Sequence, residues 1–386
     1  MVSGLQRLPE FEDICRSIME TIITNIILIG QTPAPTFQEM ARCKVLMERL
    51  VEFQVDECTT DGYRNPIGII RGKSPQSPPI FIVAHTDTTF DKEADHNFTI
   101  AQHSITGLGV MDNAVGLGVL ASLPEILRRA DLHFESDIVL AGTIQSLGRG
   151  NLRGIRHLLA TWKTPIRAGI CIEGGELGRV NYYSDAMIRG EIHCRIDRNN
   201  HRARQYRPNA ILVLNEIINQ ILELHLPQRP RTEIVFGTIS GGLKHGSNAR
   251  ETTLGFEIRS DSDTMVQKVY TDIKEIVEGL EHEFDIEVIL RNISNAGACR
   301  LKYNHPLVKS ARQTVHALDI EPVSEPAESE LAIFLAHDIP ALTLGITHGN
   351  LFEDNRSTAQ IEPIFKGIAQ IIGVLTAIDS GVCDEL

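Results

Sequence analysis

The chain has no run of lysine and arginine, no Cys-x-x-Cys pair, no internal repeat and no low-complexity segment. Each absence removes a class of function. Lys and Arg number 37 against 50 Asp and Glu, a net charge of −13, so neither nucleic acid nor an anionic membrane surface is expected as a partner. Acidity of this size serves solubility and names no substrate. The seven cysteines (Cys15, Cys43, Cys58, Cys171, Cys194, Cys299, Cys383) are odd in number and scattered. A disulfide framework is therefore not expected, and buried thiols in a reducing compartment are. No secretory signal pattern stands at the N-terminus. The apolar stretch 22–29 is too short for a bilayer and is bracketed or interrupted by Glu20, Asn25 and Gly30. A cytoplasmic protein is expected.

What is present is ordinary globular material: 386 residues, 42% hydrophobic and 23% charged, enough for two domains. Helical periodicity covers about 17–29. The break Gly30-Gln31-Thr32-Pro33-Ala34-Pro35-Thr36 precedes a second helix over 40–51. Four short apolar runs, 80–84, 138–142, 168–172 and 341–345, lack alternation and suit strands buried on both faces of a parallel sheet. Helical stretches at 115–128 and 152–160 lie between them, which is the α/β pattern.

Between about 188 and 292 the texture changes. A strand (189–196), a helix (208–224), two strands (232–238, 252–259), a helix (264–282) and a last strand (286–291) follow one another. The order β-α-β-β-α-β is ferredoxin-like. Residues 188–292 thus read as an α+β domain inserted into an α/β domain made of 1–187 and 293–386.

Three polar clusters follow buried strands or open a helix. In Ala84-His85-Thr86-Asp87-Thr88 the two ligand-type side chains sit two residues apart at a strand's C-terminal end, where α/β sheets place ligands. Asp87 can fix the tautomer of a metal-binding His85, or the motif can be a polar turn. Gly107-Leu108-Gly109-Val110-Met111-Asp112-Asn113 leads into an apolar helix, with Asp112 either its N-cap or a carboxylate above the sheet. Glu173-Gly174-Gly175 ends another strand, and its glycines permit close backbone approach or a tight turn.

In this order, and with the inserted domain, the clusters resemble the co-catalytic zinc peptidases and amidohydrolases: peptidase T, aminoacylase, acetylornithine deacetylase, succinyl-diaminopimelate desuccinylase and carboxypeptidase G. The resemblance extends from Pro33-Ala34-Pro35-Thr36-Phe37 through Asn200-His201, Arg207-Pro208-Asn209, Gly241-Gly242 and Glu257-Ile258-Arg259 to Ile361-Glu362-Pro363 and Gly367. It implies that His85 and Glu173 bind one zinc, that Asp112 bridges two, and that Asp87 orients His85. It also implies that His201 polarises a substrate carbonyl, often across a dimer, and that Arg259 helps bind substrate. A surface histidine and a strand-end salt bridge are the plain alternatives for the last two.

The pattern then breaks. The loop 143–154 puts Ser146 and Leu147 where the family has two adjacent glutamates, the general base and a ligand of the second zinc. Serine cannot act as base at neutral pH without a base of its own, and leucine offers no lone pair. The family's late metal-binding histidine falls at Glu353 (or Phe352), its following glutamate at Ser357, and His348 is a weak substitute. Glu353 could still bind a hard cation. One zinc or another divalent cation is therefore expected on His85, Asp112 and Glu173, with a second in doubt. The expected protein is a homodimeric pseudoenzyme of this family that binds a peptide or acylated amino acid, with hydrolysis lost or much reduced. An active one-metal hydrolase and a purely structural homodimer are the alternatives.

Overall fold

The computed structural model describes residues 5–196, 209–284, 286–327, 329–352 and 356–384. The chain divides into two compact units, Met1–Tyr183 with Arg300–Leu386, and Ser184–Cys299.

The larger unit begins with helices α1 (Leu8–Ser17), α2 (Met19–Gly30) and α3 (Met40–Glu52). The helix read over about 17–29 is α2, which begins at Met19, and α1 before it was not foreseen. Ile18 leaves the helical region between them (φ −121°, ψ 25°), and Pro9 stands in the first turn of α1, where its missing N–H costs nothing. Strands β1 (Glu57–Thr60), β2 (Pro66–Ile70), β3 (Ile80–His85), β4 (Thr99–Ile100) and β5 (Ser104–Leu108) follow. Then come α4 (Val115–Arg129), β6 (Ile138–Thr143), α5 (Arg153–Thr161), β7 (Ala168–Gly175) and β8 (Val180–Asn181). After the smaller unit, the chain returns with its last three helices and three strands, labelled below.

The smaller unit consists of β9 (Ala186–Arg195), α6 (Ala210–Leu222), β10 (Thr232–Gly241), β11 (Glu251–Ser260), α7 (Asp263–Phe284) and β12 (Glu287–Ala296). Its antiparallel sheet has the order β10-β11-β9-β12, the ferredoxin-like arrangement. Helix α6 starts at Ala210 because Asn209 is extended and its side chain accepts the Ile211 amide, two residues later than the periodicity suggested. One sheet face and the two helices share a core of residues such as Ile188, Ile192, Ile217, Phe256 and Ile273.

The larger unit resumes with α8 (Pro306–Ala317), α9 (Leu331–Ala336), β13 (Ala341–Thr347), β14 (Gly349–Leu351), β15 (Arg356–Gln360) and α10 (Glu362–Asp379). Its main sheet has the order β1-β2-β6-β3-β7-β13-β8. The four apolar runs form its centre, with β6, β3, β7 and β13 parallel to one another. Alternate residues of these strands enter different cores. Ile80, Ile82, Leu140, Ile172 and Leu344 pack with α1, α2, α4, α8 and α10. Phe81, Val83, Val139 and Cys171 pack against α5 and α9 on the other face. Both faces are covered, which is why these strands carry apolar runs without polar alternation. A small sheet, β14-β15-β5-β4, was not foreseen, because its strands are short and largely polar.

Among the described residues one helical stretch, Val110–Arg129, is long and apolar enough to cross a membrane, and 83% of its apolar window is buried inside the protein. All seven cysteines are free thiols.

Candidate metal centre

Parallel strands put their C-terminal ends on one edge, and the candidate site lies there. His85 ends β3, opposite Thr143 at the end of β6. The pairing of Val83 with Cys171, carried on two residues, sets Glu173 beside His85. Asp112 arrives from the turn before α4. Left-handed Gly109 (φ 66°) reverses the chain there, and the Asp112–Asn113 peptide is cis. Asn113 donates to the Ile172 carbonyl at 2.8 Å, tying this turn to β7. A side chain at Gly174 would meet the Met111 carbonyl oxygen at 2.3 Å, so only glycine lets the Glu173 strand approach the Asp112 turn this closely. Asp112 makes no N-terminal cap; its carboxylate turns toward His85 instead.

His85 Nε2 lies 2.9 Å from Asp112 Oδ1 and 3.8 Å from Glu173 Oε2. One ligand atom from each of the three residues lies within 4.8 Å of the others. His85 is buried, while Asp112 opens to a cavity of about 250 Å³. An imidazole with two carboxylates suits zinc or a similar divalent cation, and three ligands leave a position open.

The electrostatics of the three groups suit a cation. Burial works against a charge on His85, but Asp112, Asp87 and Glu173 outweigh it and hold the imidazole well above its usual pKa of 6.5. Burial raises Asp112 too, yet His85 prevails and keeps that carboxyl below its usual value. Glu173 is pushed up to about 8, first by burial and then by Glu330 and Asp112, against the opposing pull of His85 and Arg179. A divalent cation held by all three groups would satisfy their charges together.

Asp87 meets His85 through both its backbone and its side chain. His85 Nδ1 lies 3.0 Å from the Asp87 backbone carbonyl and 3.7 Å from its carboxylate. The carbonyl therefore fixes the tautomer that presents Nε2 to the cavity. The Asp87 carboxylate is occupied elsewhere: it accepts the Ser146 amide at 3.1 Å, the Leu147 amide at 2.9 Å and the Thr36 hydroxyl at 2.8 Å. Pro33-Ala34-Pro35-Thr36 is thereby a brace for this carboxylate. Buried Arg42 anchors the same segment through the Gly30, Thr32 and Thr86 carbonyls.

Ser146 and Leu147 both line the cavity. The Ser146 hydroxyl donates at 2.6 Å to Glu330, which also accepts the Thr143 hydroxyl at 2.7 Å. Glu330, 1% exposed, precedes α9 and lines the cavity with His85, Asp112 and Glu173. Sequence reasoning missed it. The available signal was a glutamate set directly against the apolar quartet Leu331-Ala332-Ile333-Phe334. Arg179 and Asn181 also line the cavity, with Arg179 3.7 Å from Glu325.

Within the larger unit, His348 and Ser357 are not part of this centre. His348 Nδ1 lies 3.2 Å from Glu176, outside the three-residue group. Arg259, in the smaller unit, lies 2.6 Å from Glu257 and 3.9 Å from Glu233. Ser357 accepts the Met111 amide at 3.3 Å, so it supports the Asp112 turn. His201 and Glu353 lie outside the described residues.

Known proteins share both the inserted domain and the fold. Residues 187–285 match the family described as Peptidase dimerisation domain. A search of curated protein sequences finds no match. Solved structures do match. A dipeptidase, Dug1p, from Saccharomyces cerevisiae has a TM-score of 0.79 at 10% identity, covering 97% of this chain and 98% of that one. A tripeptidase from Staphylococcus aureus has a TM-score of 0.73 at 16% identity, covering 94% and 99%. The Bacillus subtilis YXEP protein, a dinuclear metal-binding peptidase of the M20 family, has a TM-score of 0.62 at 13% identity, covering 94% and 99%. The inserted domain thus matches a peptidase dimerisation family, and the fold is shared with structures that include an M20 family peptidase. Identities this low carry the fold and leave the chain's own chemistry to its residues.

Proposed function

We propose that this protein is a divergent peptidase or amidohydrolase relative that holds one divalent cation, zinc by donor chemistry, on His85, Asp112 and Glu173. It binds a peptide or N-acyl amino acid in the adjoining cavity, and two-metal hydrolysis is lost or much reduced. The observation that carries this reading is the asymmetry of the cavity lining. Three ligand atoms lie within 4.8 Å on one side, and a leucine stands at position 147. When bound, the cation would polarise an amide carbonyl and acidify water. The chain's own residues would do the rest. The Asp87 carbonyl keeps His85 in the ligating tautomer, and Asp87, Thr36 and the amides of 146 and 147 hold the loop in place.

The peptidase dimerisation domain supports a homodimer, and the free thiols fit a reducing, cytoplasmic setting. Metal analysis of protein purified without added zinc tests the reading. About one ion per chain, removed by His85→Ala, is expected; two tightly held ions would overturn it. A one-metal hydrolase is the second reading, favoured by a buried carboxylate, Glu330, in the same cavity.

A further inference from the structure

Three acidic or basic groups of the cavity are committed to the candidate cation, which leaves the question of what else could move a proton there. Glu325 is open to solvent and faces Arg179 at 3.7 Å. Ser146 cannot take a proton at neutral pH. Glu330 is of a different kind. One of its oxygens, Oε1, accepts both the Ser146 hydroxyl at 2.6 Å and the Thr143 hydroxyl at 2.7 Å. The two hydroxyls are themselves 3.3 Å apart, so they clamp that oxygen from neighbouring positions. Thr143 ends β6 and Ser146 is fixed through its amide to Asp87, so both clamps are rigid. Carboxylates this well buried seldom stand without a charged partner, and Glu330 forms no ion pair among the described residues. Oε1 is spent on the clamp; Oε2 has no protein donor among the described residues, on a side chain that lines the cavity.

We infer that Glu330 is the proton acceptor of this cavity, clamped by Ser146 and Thr143, and that through it the chain retains one-metal amide hydrolysis. The inference rests on the proposed reading of the cavity as an amide site with one cation. In the step, a water in the cavity gives a proton to the Glu330 carboxylate while its oxygen bonds to the amide carbon. The C–N bond then breaks, and the amine leaves with the proton returned by Glu330. Amide and water become carboxylic acid and amine, and Glu330 ends as it began. Ser146 and Thr143 are positioning residues: they set the direction of Oε2 and exchange nothing with substrate.

The test uses the full chain loaded with zinc. Turnover of a panel of dipeptides and N-acyl amino acids should fall by about 10²–10⁴-fold in Glu330→Gln, as for loss of a general base. Zinc content should stay unchanged. Ser146→Ala removes one of two clamping hydrogen bonds and should cost about tenfold or less. A loss in Ser146→Ala as large as in Glu330→Gln would make the serine the reacting group and overturn the assignment.

A second measurement needs no turnover. Binding of a phosphinic dipeptide, measured by calorimetry in buffers of different ionisation enthalpy, should take up about one proton per chain, because an anionic oxygen beside a carboxylate requires one. Glu330→Gln should abolish that uptake. Uptake that is absent in the parent, or unchanged in the variant, sinks the inference. Zinc bound without any effect of Glu330→Gln would sink it alone, whereas absence of zinc binding would sink the one-cation reading as well.

Discussion

The cavity has two walls that were built by different means. On one wall the chemistry is in side chains: His85, Asp112 and Glu173 converge from two strand ends and a turn. On the other the loop 144–147 is positioned by its backbone, through the amides of 146 and 147 on Asp87. At 146 and 147 its side chains are those of serine and leucine. The first wall tolerates no change of residue type without losing a ligand. The second carries serine and leucine where the resemblance implies carboxylates. Its one carboxylate, Glu330, comes from a segment 184 residues away. The two walls therefore depend on residue type to different degrees.

Variants can break this contrast. The largest effect is expected for His85→Ala, which removes a ligand and its neighbours' reason to converge. Zinc affinity should fall by more than the about 10–100-fold typical of losing an outer partner, as read by metal competition titration.

Acidity provides a second handle on the same wall. Folding holds His85 well above 6.5 and Glu173 at about 8 instead of 4.5. The folded metal-free chain therefore carries more protons than the unfolded one across that window. Its stability should fall as pH rises through it, and zinc should offset the loss. Asp87 and Asp112, held below 3.8, act in the opposite sense at lower pH. Thermal melts from pH 6 to 8.5, with chelator and with zinc, check the sign; a rise in metal-free stability over this range would refute it.

The other wall predicts a swap. Ser146→Glu alone sets a second carboxylate against buried Glu330 and should destabilise by about 3 kcal/mol, within the range for an uncompensated buried charge. Glu330→Ser in the same chain should recover most of this, because one carboxylate and one hydroxyl again face each other. Denaturant unfolding of both single variants and the double one measures the coupling. A smaller loss, about 2 kcal/mol, is expected for Asp87→Asn, whose amide group would confront a backbone donor. It should loosen the 146–147 loop while zinc stoichiometry holds, since the His85 contact runs through the residue's carbonyl.

Much of this architecture was legible in the residues. Apolar runs without alternation marked β3, β6, β7 and β13, because a sheet covered on both faces leaves no place for polar side chains. The order of elements in the smaller unit was readable for the same reason that its helices are amphipathic: each buries one stripe against one sheet face. His85, Asp112 and Glu173 were findable because each abuts a strand end or a helix start. Glu330 was not, since nothing local ties it to Ser146; only the return of the chain after the smaller unit brings them together. Nor was the exchange at Asp87, where carbonyl and carboxylate divide duties that a sequence can assign only to the residue as a whole. The polar strands β4, β14 and β15 gave no periodic signal to read.

Asp87 carries one more consequence. A loop whose conformation is set by hydrogen bonds to its own amides does not depend on which side chains it displays. Position 147 is thus a place where the sequence can drift without unfolding the protein: its amide docks on Asp87 whether the residue is acidic, hydroxylic or aliphatic. Such a loop is a socket for substitution, and a change of chemistry there needs no new fold to accommodate it.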